Sequence, residues 1–370
     1  MTTFDLIEQA ERRAGLAGIL GTLLLTEPGP HLAEFVDGIA ELEPLTAPER
    51  VDSSAVEYER VLLREVTPYA SVFLGQDGRR GGSVADDVAA SYADAEFTEY
   101  RERTWRVAGP DHLGLVLRCY AKLCSDEAAG WDTDHPDRAV RSVAATRAFL
   151  DQHLAWGVLA AEAINRAAGS DTPYGALGVS IAEMLHAEAQ LLRPGADHPG
   201  LPDQEPEPVP SMLGAHRLTQ LMLSPTRSGG WLSTADIASL ARAYGVPWRA
   251  SDPRSNLRFL VDSVAETSDT PHFAGELMAI VDGWARSHRD REQRYDGAAR
   301  IWRRWRHTAE NTLAMLDRVR TGDLVPEDPE RPLVTTFEIS GRLDVEAEQS
   351  IQAAIDALRA AGLSVQWSGS

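Results

Sequence analysis

The chain has 370 residues, 43% of them hydrophobic, with 56 Asp and Glu against 36 Lys and Arg, a formal net charge of −20. That length and apolar content support a buried core and two or three domains, and exclude a disordered chain. The charge argues against a surface for a phosphate backbone, which needs clustered cations, and favours basic partners.

Residues 3–26 have helical spacing, with Phe4, Ile7, Ala14, Ile19 and Leu23 among the apolar positions, and the EPGP run at 27–30 ends the helix. The apolar stretch LAGILGTLLL is too short to span a bilayer, and the N-terminus is acidic where a secretory signal needs positive charge. Neither export nor membrane insertion is expected. Cys119 and Cys124 fit neither a disulfide framework nor a zinc spacing and read as buried thiols, so the expected compartment is the cytoplasm.

Segments 31–42 and 53–66 again read as helix, and TPYASVFLGQDGRRGG breaks the pattern with Pro68 and a glycine cluster. Helices resume at about 84–102, 111–125, 137–168 and 173–192. Nothing in the first two hundred residues alternates with period two, so residues 1–193 are expected to form an all-α bundle. The proline-rich, acidic segment 194–210 reads as a linker. Beyond it, helices at 211–223, 233–244, 253–266 and one long helix near 273–320 make a helical extension over 211–322. Ser233 with Asp236 reads as a capping box, Gly245 as a helix stop, and Pro253 as a first-turn residue. The remaining residues 332–370 read as strand, helix, strand, a small β-α-β tail that needs a body or a partner strand to dock on.

In the extension, Tyr295, Ala298, Trp302, Trp305, Ala309, Leu313 and Leu316 form one apolar stripe, with Arg300, Arg303, Arg304 and Arg306 off it. The tryptophans are expected in a core and the arginines on a solvated face paired with acidic side chains. Residues 233–264 have the helix, glycine turn and second helix of a helix-turn-helix, with Arg254, Asn256 and Arg258 on the second helix. A DNA-binding regulator is therefore the alternative reading, one that the acidic charge opposes.

The segment GPDHLGLVLRCYAKL (109–123) places Asp111 beside His112 at a helix mouth. Adjacent helical residues point apart and rarely act as a catalytic pair. No G-x-S-x-G elbow, H-E-x-x-H, P-loop or G-x-G-x-x-G fingerprint occurs, and the scattered His112, His153 and His186 do not by themselves define a site. The chain is expected not to be an enzyme and to hold no metal or cofactor. On its own chemistry Asp111 reads as an N-cap of the helix that follows it.

Residues 1–192 resemble the TorD-like family (TorD, DmsD, NarJ) of cytoplasmic chaperones that attend molybdenum-cofactor enzymes. RRAGLAGILGTLLLTEP is similar to that family's first helix, and TPYASVFLGQDG to its proline-aromatic loop. GPDHLGLVLRCYAKL resembles its Pro-Asp-His helix start, and FLDQHLAWGVLAAEAI with TPYGALGVSIAEML its later helix pair. LSPTRSGGWLS resembles an extension of longer members. The chain departs from the family where glutamates often flank the Pro-Asp-His motif: here Ala108 or Gly109 and Leu115 or Val116 stand. The resemblance implies a helical domain that binds the signal peptide, with paired arginines, or another N-terminal segment of a molybdenum-cofactor oxidoreductase catalytic subunit while its cofactor is loaded. It points to Tyr69, Phe73 and Leu74 as apolar contacts with that segment and to Pro110, Asp111 and His112 as polar ones. Exposed ion pairs give about 0–1 kcal/mol each, so an apolar groove with carboxylates at one end is expected to supply the affinity. A homodimer is left open.

Overall fold

The computed structural model describes residues 2–101, 107, 109–132, 136–192, 213–248, 253–267 and 269–325. The expected linker at 194–210 and the strand-helix-strand tail at 332–370 lie outside them. The described residues are all-α in architecture. Two two-residue extended segments, Leu213–Gly214 and Leu324–Val325, and one isolated bridge are their only β structure.

The first half carries α1 (Thr3–Leu25), α2 (Ala33–Val36), α3 (Val51–Tyr58), α4 (Ala70–Leu74) and α5 (Ser83–Asp94), followed by α6 (Leu113–Asp132), α7 (Pro136–Phe149), α8 (Gly157–Ala168) and α9 (Pro173–Leu192). Helix α1 opens on a capping box in which Thr2 Oγ1 accepts from the Asp5 N–H and Asp5 accepts from the Thr2 N–H. It packs antiparallel along α6, and the two backbones nearly touch: a Cβ on Gly21 would lie 2.7 Å from the Gly114 carbonyl oxygen. Leu20 and Leu24 of α1, Val116 and Tyr120 of α6, Leu159 and Ile164 of α8, and Leu177 and Ile181 of α9 meet in one apolar core.

The second half carries α10 (Ala215–Leu223), α11 (Pro225–Ser228), α12 (Thr234–Ala243), α13 (Pro253–Ala265), α14 (Thr270–Arg294) and α15 (Ala299–Arg318). The Ser233–Asp236 capping box forms, and Gly245 takes φ +65° after α12. Several expected helices are broken or shortened: 31–42 holds only the four-residue α2, and 84–102 ends as α5 at Asp94 before a separate 3-10 turn, Glu99–Arg101. The segment 273–320 is a hairpin of α14 and α15, turned at residues 295–298, where Gly297 fits against Gln190 so closely that a Cβ would meet its backbone nitrogen at 2.8 Å. The apolar stripe runs on through this turn because Ala298 is buried, which is why periodicity alone shows no break. The segment 137–168 is interrupted by a π-helical turn, Leu150–Leu154.

Met1–Leu324 form one compact unit with two apolar cores. Leu218, Ile237, Leu260, Phe273 and Leu277 build the second core, while Trp302 and Trp305 of α15 insert into the first. The tryptophan stripe is thus buried, as its spacing predicts. The arginines off it are paired, Arg303 with Glu292 at 2.6 Å, and Arg306 with Glu292 at 2.9 Å and Glu310 at 2.8 Å. On α13, Asn256 is buried, Arg258 pairs with Asp262, and Arg254 donates to the Asp77 carbonyl. That leaves the helix-turn-helix reading without a recognition face.

The joint between the halves adds polar contacts to that aromatic packing. Trp302 Nε1 donates to His186 Nε2 at 2.9 Å, and Tyr295 stacks on the His186 ring with centroids 3.6 Å apart. Tyr295 also donates to Glu183, and Ser287 Oγ to Glu162 at 2.9 Å. His288 is held by the Gly229 carbonyl at 2.8 Å. Gly229, at φ +80°, packs so tightly that a Cβ would lie 2.2 Å from the Ala309 nitrogen, a position only glycine can fill.

Burial, above all, drives His186 from the ordinary 6.5 down to about 4, with Arg291 and Arg294 lowering it further against Glu183. The unfolded chain therefore takes a proton near pH 6.5 that the folded chain refuses until about pH 4, and this contribution to stability is complete above 6.5 and lost as pH falls. From pH 7 to pH 5 the wild type should lose about 2 kcal/mol more stability than His186→Gln, whose amide oxygen still accepts from Trp302. Urea unfolding at both pH values measures the difference, and equal losses would mean that His186 is not held neutral by the fold.

Candidate functional site at the Tyr69 and His112 corner

Two stretches forty residues apart in sequence meet at one corner. Tyr69 and His112 face each other across the isolated antiparallel bridge. The Ala70 N–H donates to the Asp111 carbonyl at 2.9 Å and the Leu113 N–H to the Pro68 carbonyl at 2.8 Å. Their rings pack edge to face with centroids 4.9 Å apart. The turn that presents Tyr69 is strained: Thr67, β-branched, sits at φ +43° immediately before Pro68. Tyr92 of α5 pins the other side, its hydroxyl donating to the Pro110 carbonyl at 2.8 Å.

Asp111 does not cap its own helix. Its Oδ2 accepts from the Ser71 N–H at 2.8 Å and from Ser71 Oγ at 2.5 Å, so it caps α4. The N-cap residue of that helix, Tyr69, makes no side-chain cap bond. The start of α6 is served instead by His112, whose Nδ1 accepts from the Gly114 N–H at 3.1 Å. That nitrogen is therefore unprotonated, and complete burial pushes the ring from 6.5 down to about 3. An imidazole held neutral so far below pH 7 is a poor general acid or base. The other Asp111 oxygen, Oδ1, is buried with no hydrogen-bond partner among the described residues. It faces Gly109, where a Cβ would come within 2.9 Å of it.

Of the six residues singled out in the sequence, Tyr69, Phe73, Asp111 and His112 are buried, and Leu74 and Pro110 are half-buried. Tyr69, Pro110, Asp111 and His112 come together directly. Phe73 points the other way, into a sandwich between Trp156 of the first half, 5.4 Å away, and Trp231 of the second, stacked at 5.2 Å and 16°. It is fully enclosed. Trp156 thus backs Phe73 and Trp231 closes the sandwich. The extension also grips the loop after α4, with Ser224 Oγ donating to the Gly75 carbonyl at 2.9 Å. Arg80 lies over the Tyr69 ring at 5.5 Å, and Arg79 next to it pairs with Asp77 at 3.6 Å. Sequence reasoning missed both arginines, although the GRRGG run after the loop marked them.

His112, His153 and His186 have separate partners: Gly114, Ser91 at 2.7 Å, and Trp302. Residues 29–159 match the family described as nitrate reductase delta subunit, in line with the chaperone family that residues 1–192 resemble. The match supports a general role as a chaperone in molybdoenzyme maturation rather than as a catalyst. No curated protein and no solved structure matches the chain. No helix among the described residues is long and apolar enough to cross a membrane.

Because Asp111 satisfies two donors of α4, Asp111→Ala should lower unfolding stability by about 2–3 kcal/mol. Asp111→Asn, which keeps an acceptor for Ser71, should cost under about 1 kcal/mol. Urea midpoints of the two variants test this, and an unchanged midpoint for the alanine variant would rule out the cap.

Proposed function

We propose that this chain is a cytoplasmic chaperone that holds the N-terminal segment, a twin-arginine signal peptide where the client is exported, of a molybdenum-cofactor oxidoreductase catalytic subunit while its cofactor is loaded. The observation that carries the reading is Asp111 Oδ1, a buried carboxylate oxygen with no donor among the described residues, set under the corner that joins the two motif stretches. A buried acceptor left open is costly, and a guanidinium from outside would satisfy it with a charge-assisted bond. Tyr69 supplies an aromatic face for the same cation, and Leu74 and Pro110 supply apolar contact.

Arg80 stands where that cation would lie and must swing off Tyr69 for it to enter. Phe73, enclosed between two tryptophans, acts as the floor of the loop and not as a surface contact. The apolar part of the segment contributes most of the affinity, since exposed ion pairs add only about 0–1 kcal/mol each.

Calorimetry of the full chain with the N-terminal segment of the host's molybdoenzyme catalytic subunit tests the assignment. Asp111→Asn should weaken binding about tenfold, and the loss should vanish when the segment's arginines are replaced by glutamine, as expected for one charge-assisted contact. Arg80→Ala should tighten binding several-fold by removing the competing cation. A loss in Asp111→Asn that persists with the glutamine segment would place the cation elsewhere.

A further inference from the structure

A cavity of about 180 Å³ lies between the loop that carries the corner and the extension. One side is the end of the π-helical turn Glu59–Glu65 and the chain after it, with Thr67, Val72 and Gly78. The other is Met222 and Leu223 of α10, Trp231 and Leu232 before α12, and the first turn of α13 at Pro253 and Arg254. None of the six corner residues lines it, so it is a separate site.

Its walls are fixed before anything binds. A Cβ on Gly78 would lie 2.3 Å from the Leu223 carbonyl oxygen, so the loop is pressed backbone to backbone against the end of α10. Ser224 and Arg254 of the extension donate to the loop carbonyls of Gly75 and Asp77. Trp231 is stacked on Phe73, which holds its ring in place as an aromatic side of the cavity. Two lining residues have left-handed backbone, Thr67 at φ +43° and Gly78 at φ +60°. A β-branched residue kept there is strained, and such strain collects at ligand clamps and switch regions.

Charge and size narrow the occupant. In a chain of net charge −20, this cavity is lined by two guanidinium groups, Arg64 and Arg254, and by one carboxylate, Glu65, which Arg60 pairs at 3.3 Å. Arg64 pairs with Glu59, but the two side chains are 72% and 54% exposed, and water screens a pair of that kind. The rest of the lining is mostly apolar, with Val72, Met222, Trp231 and Leu232. The volume falls below the roughly 300–1,000 Å³ of sites for drug-sized ligands, so a nucleotide does not fit.

We propose that this cavity is a small-molecule site for an organic monoanion of about ten non-hydrogen atoms, a carboxylate on an aromatic or branched apolar body. The carboxylate lies at Arg64 and Arg254, and the body packs against Trp231 and Leu232.

The test uses three probes: phenylacetate, its neutral isostere phenylacetamide, and acetate. Each is titrated into the full chain labelled with fluorotryptophan, the Trp231 resonance being assigned from Trp231→Phe. Phenylacetate should move the Trp231 signal with a Kd of about 1 mM or tighter, the range open to so small a ligand. Phenylacetamide, which lacks the charge, and acetate, which lacks the apolar body, should each bind about tenfold more weakly. Arg64→Gln with Arg254→Gln should bring the two aromatic probes to within about twofold of each other, with phenylacetamide still moving the Trp231 signal. Arg64→Gln alone, at an exposed position where folding is unaffected, should lower the preference about threefold and carries the test if the double variant unfolds. The proposal is overturned if phenylacetate at about 10 mM leaves the Trp231 signal unmoved, or if the amide binds as tightly as the acid. It is also overturned if acetate matches phenylacetate, which would make this a plain anion site, or if the arginine variants keep the full preference for the acid.

Discussion

The carboxylate of Asp111, held against the first turn of α4, is the constraint on which the candidate site depends. A helix of five residues cannot pay its own nucleation cost, and α4 has no side-chain cap of its own. It is kept in place by a cap supplied from forty residues away and by the burial of Phe73 between two tryptophans. One end of the loop is fixed by hydrogen bonds, the middle by aromatic packing, and the far end by Ser224 and Arg254 of the extension. The strained Thr67 at its entry is tolerated because so much else determines the backbone around it. The two oxygens of this aspartate differ: Oδ2 builds the loop, and Oδ1 is buried with no hydrogen-bond partner among the described residues.

The second half of the chain is therefore not an independent appendage to the first. Trp231 completes the Phe73 sandwich, and Trp302 and Trp305 belong to the first core. The joint is nonetheless polar where Trp302 meets His186 and Ser287 meets Glu162. Buried hydrogen bonds of this kind add little net stability, yet each is expensive to break one-sidedly. They specify how the halves dock more than how tightly. Since His186 has to stay neutral to accept from Trp302, the docking is built on a group whose protonation would remove the acceptor.

Periodicity and capping chemistry were enough to read the helices, because an amphipathic stripe and a Ser–Asp capping box are local properties. The Ser233–Asp236 box and the buried tryptophans of α15 were legible for that reason. The break at residues 295–298 was not, since a buried Ala298 keeps the stripe continuous through a turn that packs against Gln190. At the site, motif order indicated that the Pro68–Leu74 and Pro110–His112 stretches matter together, but not how. Asp111 looks like a cap of its own helix in sequence, and only tertiary folding hands it to α4 and leaves the α6 cap to His112. The enclosure of Phe73 by Trp231 joins residues 158 positions apart, a distance over which no local pattern speaks.

Charge and contact act at different ranges. A chain carrying −20 attracts any cationic segment over about a Debye length, roughly 8 Å at physiological salt, but attraction at that range does not choose where the segment settles. The choice is made at contact distance. At the corner, Arg80 lies over the Tyr69 ring and the open Asp111 oxygen is buried, so the proposed segment would exchange one cation for another. A segment with its cation ahead of its apolar stretch would suit that arrangement, where charge leads and burial follows. The excess of acid that would bring such a segment near thus leaves its seating to the geometry around one buried carboxylate, Asp111.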